Sequence, residues 1–590
     1  MKRSFLLAIA GSLVLAGCTL APQATPVAPP AGGVAAANDP RAALIGEQIM
    51  EQGGSATDAA IAMMLALAVL EPQSTGLGGG GFLMLGTAEG QVEMYDGRET
   101  APAAASGAWF LDDDGAPRDR TAAALSGLSI GVPGQVALAA QAHARHGRLP
   151  WPDLFVPAIE LARNGFPITP RLSGSLARFP QRAARDADGK AMFYGEDGEA
   201  PAAGAWIRLP ELADTLEMIA REGPESFYSG PFAESMALKI ALDTPANAVM
   251  TIDDFESYSA ILREPACVLY RLYRVCTVGP PSSGGYAVLA ILKQLEGFEL
   301  ASLGLRNAET WHLFVEAQRL AFADREYFVG DPGFVDVPLE ELLDETYLAS
   351  RAALIEPGTT LPDVQPGEPE GASRQLAIGQ SWPEQGTTHF VAVDKLGNMA
   401  SFTATVEGAF GSGLMHGGFF LNNELTDFDF TPEVDGRPVA NRVEGGKRPA
   451  SSMTPTFVYD PAGKPFFTVG AAGGGLIPAQ TARAIIGVID FELPLEQALE
   501  LPFVMGVGPG AVLVEQGTWM EDLAPEFQTL GHPRVIPFGQ LLRTTGALHT
   551  ANGWQARHDP RLDDLVRIPT AVEKEADTGA GFDEGDTLAP

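Results

Sequence analysis

The order of hydrophobic and polar residues divides the chain into a helix-rich first part, a strand-rich middle part and a helical end. Residues 57–69 are apolar nearly all round, which predicts a buried helix. Apolar residues at helical spacing predict further helices. These are expected at 135–146, 153–163, 210–221 and 308–325, and again at 478–490 and 495–501.

Alternating apolar and polar residues predict strands between these helical regions. The strands are expected at 91–98, 387–394, 398–405, 417–422, 454–459 and 466–470. An order of helices, then strands, then helices suits a layered sheet sandwich covered by helices.

Four consecutive glycines stand in the string LGGGGF at 77–82. Glycine permits backbone geometry that other residues cannot adopt. No Gly-Lys-Ser or Gly-Lys-Thr follows, so this is not a phosphate-binding loop of the Walker type. We expect instead that backbones pack closely here, beside a functional site.

The composition limits the classes of partner. The chain has 590 residues, 46% of them hydrophobic, which provides a sizeable core and excludes wholesale disorder. Its 39 basic and 74 acidic residues give a net charge of −35, so nucleic acid is not expected as a partner. Only three cysteines occur, which excludes a disulfide-rich scaffold and a four-cysteine metal site.

The first residues indicate export. A basic start is followed by an apolar run to about Leu15 and by small residues before Cys18, as in a secretory signal. The string resembles a bacterial lipobox, which implies a lipoprotein signal peptide at 1–17, lipidation of Cys18 and a periplasmic location on the outer membrane. The alternative is ordinary secretion with Cys18 merely nearby.

Composition also predicts two unstructured ends. Residues 18–39 are rich in Pro, Ala and Gly and are expected to form a flexible tether. Residues 571–590 are acidic and lack periodicity, which predicts a disordered tail.

The remaining cysteines flank the strand-like string VLYRLYRV. If this is a hairpin that turns at Arg271-Leu272, then Cys267 and Cys276 face each other. An oxidising compartment would favour a cross-strand disulfide. The alternative is a pair of buried free thiols.

Two other motifs carry little weight. Residues 127–131 fit the G-x-S-x-G string, but Pro133 breaks the helix that a nucleophile elbow requires. His143 and His146 could share a helix face, but no carboxylate stands at metalloprotease spacing, so surface histidines are expected.

The most informative string is GTTHF at 386–390, where a loop leads into a strand that starts at Thr387. With the other motifs, in the same order, it resembles the γ-glutamyltranspeptidase family over about residues 40–565. The motifs are GGSATDAA at 53–60, LGGGGF at 77–82, DGRETAP at 96–102, VPG at 132–134, GPESFYSG at 223–230, PPSSGG at 280–285, ADREYFVGDP at 323–332 and the run from Thr387 to Gly475.

This resemblance implies an α+β fold, a four-layer αββα sandwich of the N-terminal-nucleophile hydrolase type. It implies self-cleavage between Gly386 and Thr387 into a large subunit, 40–386, and a small subunit, 387–570. The chemistry is reasonable, because a threonine hydroxyl needs a base and the freed α-amine has a pKa of about 8. Gly386 lacks a Cβ and can adopt the geometry that such an attack needs.

Catalytic roles follow from the same resemblance. Thr405 would hydrogen-bond to the nucleophile Thr387, and the backbone N–H groups of Gly473 and Gly474 would form the oxyanion hole. No cofactor and no metal is expected.

Substrate-binding roles are implied in the same way. Arg98 would grip the α-carboxylate of a γ-glutamyl group, helped by Ser451 and Ser452. Asp427 and Glu424 would bind the α-ammonium group.

Three features depart from the family pattern. Glu407 stands where many members carry Asn, and it adds a third acid near the ammonium site. The segment between Asp427 and Ser451, where the family places a lid that often bears a Tyr, is short and contains no Tyr. Gly475-Leu476 replaces the usual Ser-Arg. An incomplete lid would favour hydrolysis and larger substrates.

The leading hypothesis is therefore a γ-glutamyl hydrolase/transpeptidase, a heterodimer of its own two cleavage products. Its substrates would be glutathione and related γ-glutamyl compounds, with water, amino acids or peptides as acceptors. A related glutaryl or cephalosporin-type acylase is one alternative, against which the acids of the ammonium site argue. The other is a non-catalytic lipid-anchored binding protein on the same fold.

Overall fold

Two six-stranded antiparallel sheets form the centre of the computed structural model, which describes residues 32–245, 248–373, 375–379, 386–539 and 541–569. The strands are β1 (Gly33–Ala37), β2 (Gly80–Gly86), β3 (Val92–Gly97), β4 (Ile261–Arg263), β5 (Ala266–Tyr270), β6 (Tyr273–Thr277), β7 (Gly386–Asp394), β8 (Met399–Glu407), β9 (Thr456–Tyr459), β10 (Pro465–Ala472), β11 (Arg543–Thr550) and β12 (Gly553–Arg557). The first sheet has the order β1-β7-β8-β2-β3-β4, and the second has the order β12-β11-β10-β9-β6-β5.

Helices cover the outer faces of both sheets. The longer ones are α1 (Pro40–Glu51), α2 (Ala56–Leu70), α3 (Gln135–His146), α4 (Val156–Asn164), α5 (Pro170–Arg178), α6 (Pro210–Glu222), α7 (Gly230–Asp243), α8 (Ser283–Leu295), α9 (Ala308–Phe328), α10 (Glu345–Ala352) and α11 (Ile477–Ile489). Shorter helices lie at Arg120–Ala124, Pro180–Ala183, Ala187–Phe193, Glu225–Tyr228, Ile252–Glu256, Leu300–Leu303, Leu339–Leu342, Leu495–Leu499, Trp519–Asp522, Ala524–Thr529 and Asp563–Val566.

Small sheets complete the fold. Three strands, Val504–Gly506, Ala511–Glu515 and Arg534–Phe538, form one of them. Two-residue strands pair at Phe166–Pro167 with Trp206–Ile207, at Met415–His416 with Phe419–Phe420, and at Glu433–Val434 with Arg437–Pro438.

Apolar side chains hold four layers together. Between the sheets, Phe82 and Val391 of the first pack with Phe457 and Ala471 of the second. The outer face of the first sheet packs against a core that includes all the large side chains of α2, and that of the second against α8, α9 and α11. The predicted α+β four-layer αββα sandwich is confirmed.

Helix α2 shows how directly the sequence specifies this core. Every residue of it is buried, as its continuous apolar composition predicts. It starts at a capping box, in which the Ser55 hydroxyl accepts from the Asp58 N–H at 3.1 Å and the Asp58 carboxylate accepts from the Ser55 N–H at 2.8 Å.

Several predicted elements differ from the structure at their ends, and two of these differences have a clear local cause. The helix predicted from residue 153 starts at Val156, because Pro157 belongs in a first turn. The strand predicted at 417–422 shrinks to Phe419–Phe420, because Gly417 and Gly418 have φ of +57° and +82°, outside the extended region.

The predicted end of the tether is wrong. Residues 33–37 form β1, which pairs with β7, and Asn38 is completely buried. Asp39 caps α1 by accepting from the Arg41 N–H at 3.0 Å. An Ala-rich edge strand has no apolar-polar alternation, so composition alone suggested a linker. The signal peptide, Cys18 and the predicted tail at 571–590 lie outside the described residues.

The cysteine hairpin is confirmed. Cys267 of β5 lies directly opposite Cys276 of β6, and a disulfide joins them. The turn falls at Arg271 and Leu272, whose φ values of 48° and 72° match the left-handed region of a two-residue hairpin turn. Within the described part of the chain, no helix is long and apolar enough to cross a bilayer.

Candidate active site

The Gly386–Thr387 bond lies at the start of β7, and two hydroxyl groups converge on its carbonyl. Thr387 is fully buried, and its Oγ1 lies 2.6 Å from the Gly386 carbonyl oxygen. The Thr405 hydroxyl donates to the same oxygen and lies 3.4 Å from Thr387 Oγ1. The structure therefore brings together the three residues predicted for cleavage and nucleophile support.

A β-bulge places Thr405. The pairing of β8 with β7 shifts between Ala404 and Glu407, and Glu407 has a φ of 72°. Such bulges re-aim side chains next to functional sites. Here the Thr405 hydroxyl also accepts from the Glu407 N–H at 2.8 Å, which fixes its orientation.

The glycine run packs backbone against backbone, as predicted. A Cβ added to Gly79 would lie 2.0 Å from the Thr405 carbonyl oxygen, and one added to Gly80 would lie 2.4 Å from the Gly97 oxygen. Real Cβ atoms cannot approach so closely, so strand β2 needs glycine to lie between β8 and β3. Because β2 lies between β8 and β3, this close packing brings Thr405 of β8 near Arg98, which follows β3.

Arg98 and the two predicted ammonium ligands form one buried ionic cluster. The Arg98 guanidinium binds both Glu424 and Asp427, and Arg98 and Glu424 are completely buried. The same guanidinium donates to the carbonyl oxygens of Ala450 at 2.8 Å and Pro449 at 3.3 Å. The residues predicted for the two ends of a zwitterion therefore lie side by side and pair with each other.

Ser451 and Ser452 follow these two carbonyl groups directly and are nearly buried. The PPSSGG loop holds Ser451 in place: the Ser283 N–H donates to the Ser451 carbonyl at 2.8 Å, and the Ser451 N–H donates to the Pro281 carbonyl at 3.1 Å. The PPSSGG motif is evident in the sequence but its role is not, because its partner Ser451 lies far along the chain.

Glu407 is buried in a pocket that contains other acids. Its carboxylate accepts from the Asn423 amide. Burial, followed by the charge of Asp427, raises its pKa to about 7, although Arg182 and Arg98 oppose this. The prediction that Glu407 adds a third acid beside Asp427 agrees with this arrangement.

Sequence reasoning missed three residues of this pocket. Glu99 is completely buried next to Arg98, and burial raises its pKa well above the usual range. The Asn423 side-chain amide donates to the Glu407 carboxylate, and its oxygen accepts from the Gly408 N–H at 2.9 Å. Arg182 donates to the Gly411 carbonyl at 2.9 Å. Glu99 and Asn423 lie inside quoted motifs, whereas no pattern marks Arg182.

Gly473 and Gly474 follow β10 with φ values of +121° and +58°. These left-handed conformations are accessible to glycine, and they turn the backbone sharply at the strand end. Within the described residues, no protein group accepts a hydrogen bond from either N–H. Two free N–H groups of this kind suit an oxyanion hole.

Part of the segment between Asp427 and Ser451 forms a short hairpin. Its strands Glu433–Val434 and Arg437–Pro438 are largely exposed. Phe430 anchors the base of the hairpin, and the Arg120 guanidinium lies 4.1 Å from the centre of its ring. The residues that flank the hairpin, including Phe428 and Val439, are buried, and the incomplete lid stays a prediction.

The two discarded motifs have structural roles. Ser129 is buried, and its hydroxyl donates to the Ala124 and Ser126 carbonyl groups, so it is not a free nucleophile. His143 binds the Leu149 carbonyl and His146 binds Glu93, and both side chains are partly exposed.

Two packed antiparallel sheets between helical layers, with a threonine at the start of an inner strand, define an N-terminal-nucleophile hydrolase fold. The chain belongs to the γ-glutamyltranspeptidase family, whose model (Gamma-glutamyltranspeptidase) matches residues 42–567.

Individual relatives agree with this assignment. The glutathione hydrolase proenzyme of Bacillus subtilis (strain 168) is 35% identical over 85% of each chain. The structure of cephalosporin acylase from Bacillus halodurans is 27% identical with a TM-score of 0.79, covering 93% of this chain and 98% of that one. Helicobacter pylori γ-glutamyltranspeptidase is 32% identical with a TM-score of 0.56, covering 59% of this chain and 99% of that one.

Proposed function

We propose that this protein is an autoprocessed γ-glutamyl hydrolase/transpeptidase. It cleaves the γ-glutamyl amide bond of glutathione and related compounds through an acyl-enzyme on Thr387. The observation that carries the proposal is the convergence of the Thr387 and Thr405 hydroxyls on the Gly386 carbonyl, beside a buried ionic cluster suited to a zwitterion.

Processing begins with attack of Thr387 Oγ1 on the Gly386 carbonyl carbon. The Thr405 hydroxyl donates to the carbonyl oxygen, so it stabilises the negative charge that develops there. The C–N bond then breaks, the Thr387 nitrogen takes up the hydroxyl proton, and an ester joins the two residues. Water hydrolyses this ester, which leaves the Gly386 carboxylate and a free Thr387 α-amine. The large and small subunits remain together as a heterodimer.

In turnover, the new α-amine accepts the Thr387 hydroxyl proton as the oxygen attacks the γ-carbonyl of the substrate. The N–H groups of Gly473 and Gly474 stabilise the oxyanion. The amine product leaves with the transferred proton, and the glutamyl ester on Thr387 passes to water or to an amino-acid or peptide amine. An incomplete lid over the glutamyl site, as expected from the short segment without a Tyr, would favour water.

The ionic cluster supports recognition of the glutamyl head. Arg98 can exchange its bonds to Glu424 and Asp427 for the α-carboxylate, with Ser451 and Ser452 as further donors. The released acids then bind the α-ammonium group. The cation of the cluster thereby pairs with the carboxylate of the zwitterion, and the acids of the cluster pair with its ammonium group.

Export completes the proposal. A lipobox-like string before Cys18 supports lipid anchoring, on the outer membrane and facing the periplasm. The Cys267–Cys276 disulfide is compatible with such an oxidising compartment.

The experiment compares the wild type, Thr387→Ala and Thr387→Ser by intact mass and by turnover of a γ-glutamyl anilide. We expect two chains from the wild type, the smaller starting at Thr387, and one chain from Thr387→Ala. Thr387→Ser retains a hydroxyl, so this variant should still be cut at the same bond. Two fragments from Thr387→Ala would refute the mechanism.

The similarity to cephalosporin acylase supports a second candidate, an acylase that removes glutaryl groups. A glutaryl group lacks the α-ammonium, so it would leave Glu424 and Asp427 without a cation when its carboxylate takes Arg98. We expect turnover of the γ-glutamyl anilide to exceed that of the matching glutaryl anilide. The reverse order would establish the acylase.

A further inference from the structure

Three buried side chains with metal-ligating atoms meet in the outer helical layer of the second sheet. His312 and Glu316 lie one turn apart on α9, on the same face of the helix. His532 follows the helix Ala524–Thr529. All three are completely buried, and one ligand atom from each lies within 4.8 Å of the others.

Hydrogen bonds determine which imidazole nitrogens carry protons. His312 Nε2 lies 2.9 Å from the Glu356 carbonyl oxygen, which can only accept, so this nitrogen bears the hydrogen. His312 Nδ1 therefore accepts, and the donor is His532 Nε2, at 2.8 Å. His532 Nδ1 is buried and has no hydrogen-bond partner among the described residues. The pair is thus incompletely satisfied as a purely polar contact.

We propose that His312 Nδ1, His532 Nε2 and a Glu316 carboxylate oxygen bind one Zn²⁺ ion. Two imidazoles and a carboxylate are a donor set typical of zinc, whereas Mg²⁺ and Ca²⁺ prefer oxygen ligands. The His312 Nε2–H bond to a backbone carbonyl is the arrangement that commonly orients a zinc-binding histidine. On binding, the His532 proton moves from Nε2 to the unpaired Nδ1, so both rings stay neutral and no redox change occurs.

Two local adjustments accompany binding. Nitrogens on one tetrahedral zinc are about 3.3 Å apart, given Zn–N bonds of about 2.0–2.1 Å, so the two rings must separate by about half an ångström. Glu316 Oε1 accepts from Arg319 Nη1 at 2.8 Å and from the Thr360 hydroxyl at 2.7 Å, and Oε2 accepts from Arg319 Nη1 at 3.0 Å and from the Leu361 N–H at 2.9 Å. Arg319 must therefore release the oxygen that binds zinc, and the other donors keep the carboxylate in place. Arg319 keeps its bond to the Leu361 carbonyl at 2.8 Å.

The site would join the two proposed subunits. His312 and Glu316 precede the proposed cleavage site, whereas His532 follows it, and close by the Thr360 N–H donates to the Leu530 carbonyl at 2.9 Å. A zinc ion here would act as a cross-link that survives cleavage. This consequence rests on the proposed function, but the metal site itself does not.

The test titrates chelator-treated protein with Zn²⁺ by calorimetry and with Co²⁺ by visible absorption. The variants are His312→Gln and His532→Gln, and the matched control is His549→Gln, which changes an exposed histidine. We expect one Zn²⁺ per wild-type chain, an affinity loss of about 100-fold or more in both cluster variants, and no change in the control. The uncut Thr387→Ala chain should bind Zn²⁺ equally well, which separates this test from the processing experiment.

Absence of Zn²⁺ binding by the wild-type protein would overturn the proposal. Binding that persists in His532→Gln would do the same. If a cluster variant does not fold, the Co²⁺ spectrum of the wild type still decides, because three ligands including two imidazoles give intense tetrahedral-type bands that surface carboxylates do not give.

Discussion

Replacing Glu407 with Gln should make the stability of the protein less dependent on pH. Glu407 is 9% exposed, and burial followed by the charge of Asp427 raises the pKa of its carboxyl from the ordinary 4.5 to about 7. The folded chain therefore binds a proton more tightly than the unfolded chain does. The contribution of Glu407 to the free energy of unfolding is fully present below pH 4.5 and is lost as the pH rises through about 7. Glutamine does not titrate, so the unfolding free energy of the variant does not decrease in this way as the pH rises.

The magnitude follows from linkage. A tenfold change in an equilibrium constant is worth about 1.4 kcal/mol. With pKa values of 4.5 unfolded and about 7 folded, the wild type loses about 2 to 3 kcal/mol between pH 5 and pH 8 through this group. Glu407→Gln keeps the acceptor oxygen for the Asn423 amide, so its advantage over the parent should grow by that amount at the higher pH.

Urea unfolding at pH 5 and pH 8 measures the difference. Both chains carry Thr387→Ala, so that a single chain unfolds rather than two subunits. The control is Glu264→Gln, because Glu264 is an exposed acid and its removal should shift stability equally at both pH values. If the gain from Glu407→Gln is the same at pH 5 and pH 8, the carboxylate is not protonated in the folded pocket and the reasoning is refuted.

Three further changes test the processing step, the close backbone packing and the disulfide. Thr405→Val should slow processing about 100-fold, because the hydroxyl that donates to the Gly386 carbonyl is lost; the fraction of cut chain over time measures this, and Thr405→Ser should restore it. Gly80→Ala should cost about 1–3 kcal/mol in urea unfolding, since its Cβ would lie 2.4 Å from a carbonyl oxygen, whereas Gly76→Ala, with nothing within 4 Å, should be neutral. Cys267→Ser should lower the unfolding free energy by about 2–3 kcal/mol, and added reductant should then have no further effect.

Local sequence patterns predicted what depends on neighbouring residues. The uniform apolar composition of α2 predicted its burial, and the spacing of Cys267 and Cys276 predicted that they face each other across a hairpin. The glycine run predicted close backbone approach beside the site. Each of these features is encoded within about 15 residues, so one stretch of chain contains all the information.

Features formed by distant segments could not be predicted in this way. The β1 strand gains its stability from pairing with β7, some 350 positions away, and its own composition suggested a linker. The cluster of His312, Glu316 and His532 assembles from two segments with no common motif. Arg182 reaches the pocket from a short helix whose sequence gives no sign of it.

The charge balance of the pocket links these observations to binding. Glu99, Glu407, Glu424 and Asp427 gather around Arg98, and burial raises the pKa of Glu99 and Glu407 in spite of the nearby cations. A carboxylate ligand alone would add a further negative charge and compete for Arg98. A zwitterion adds none, and it brings a cation that stabilises the ionised acids. We therefore expect the pocket to discriminate against simple dicarboxylates by the cost of uncompensated buried charge, independently of shape.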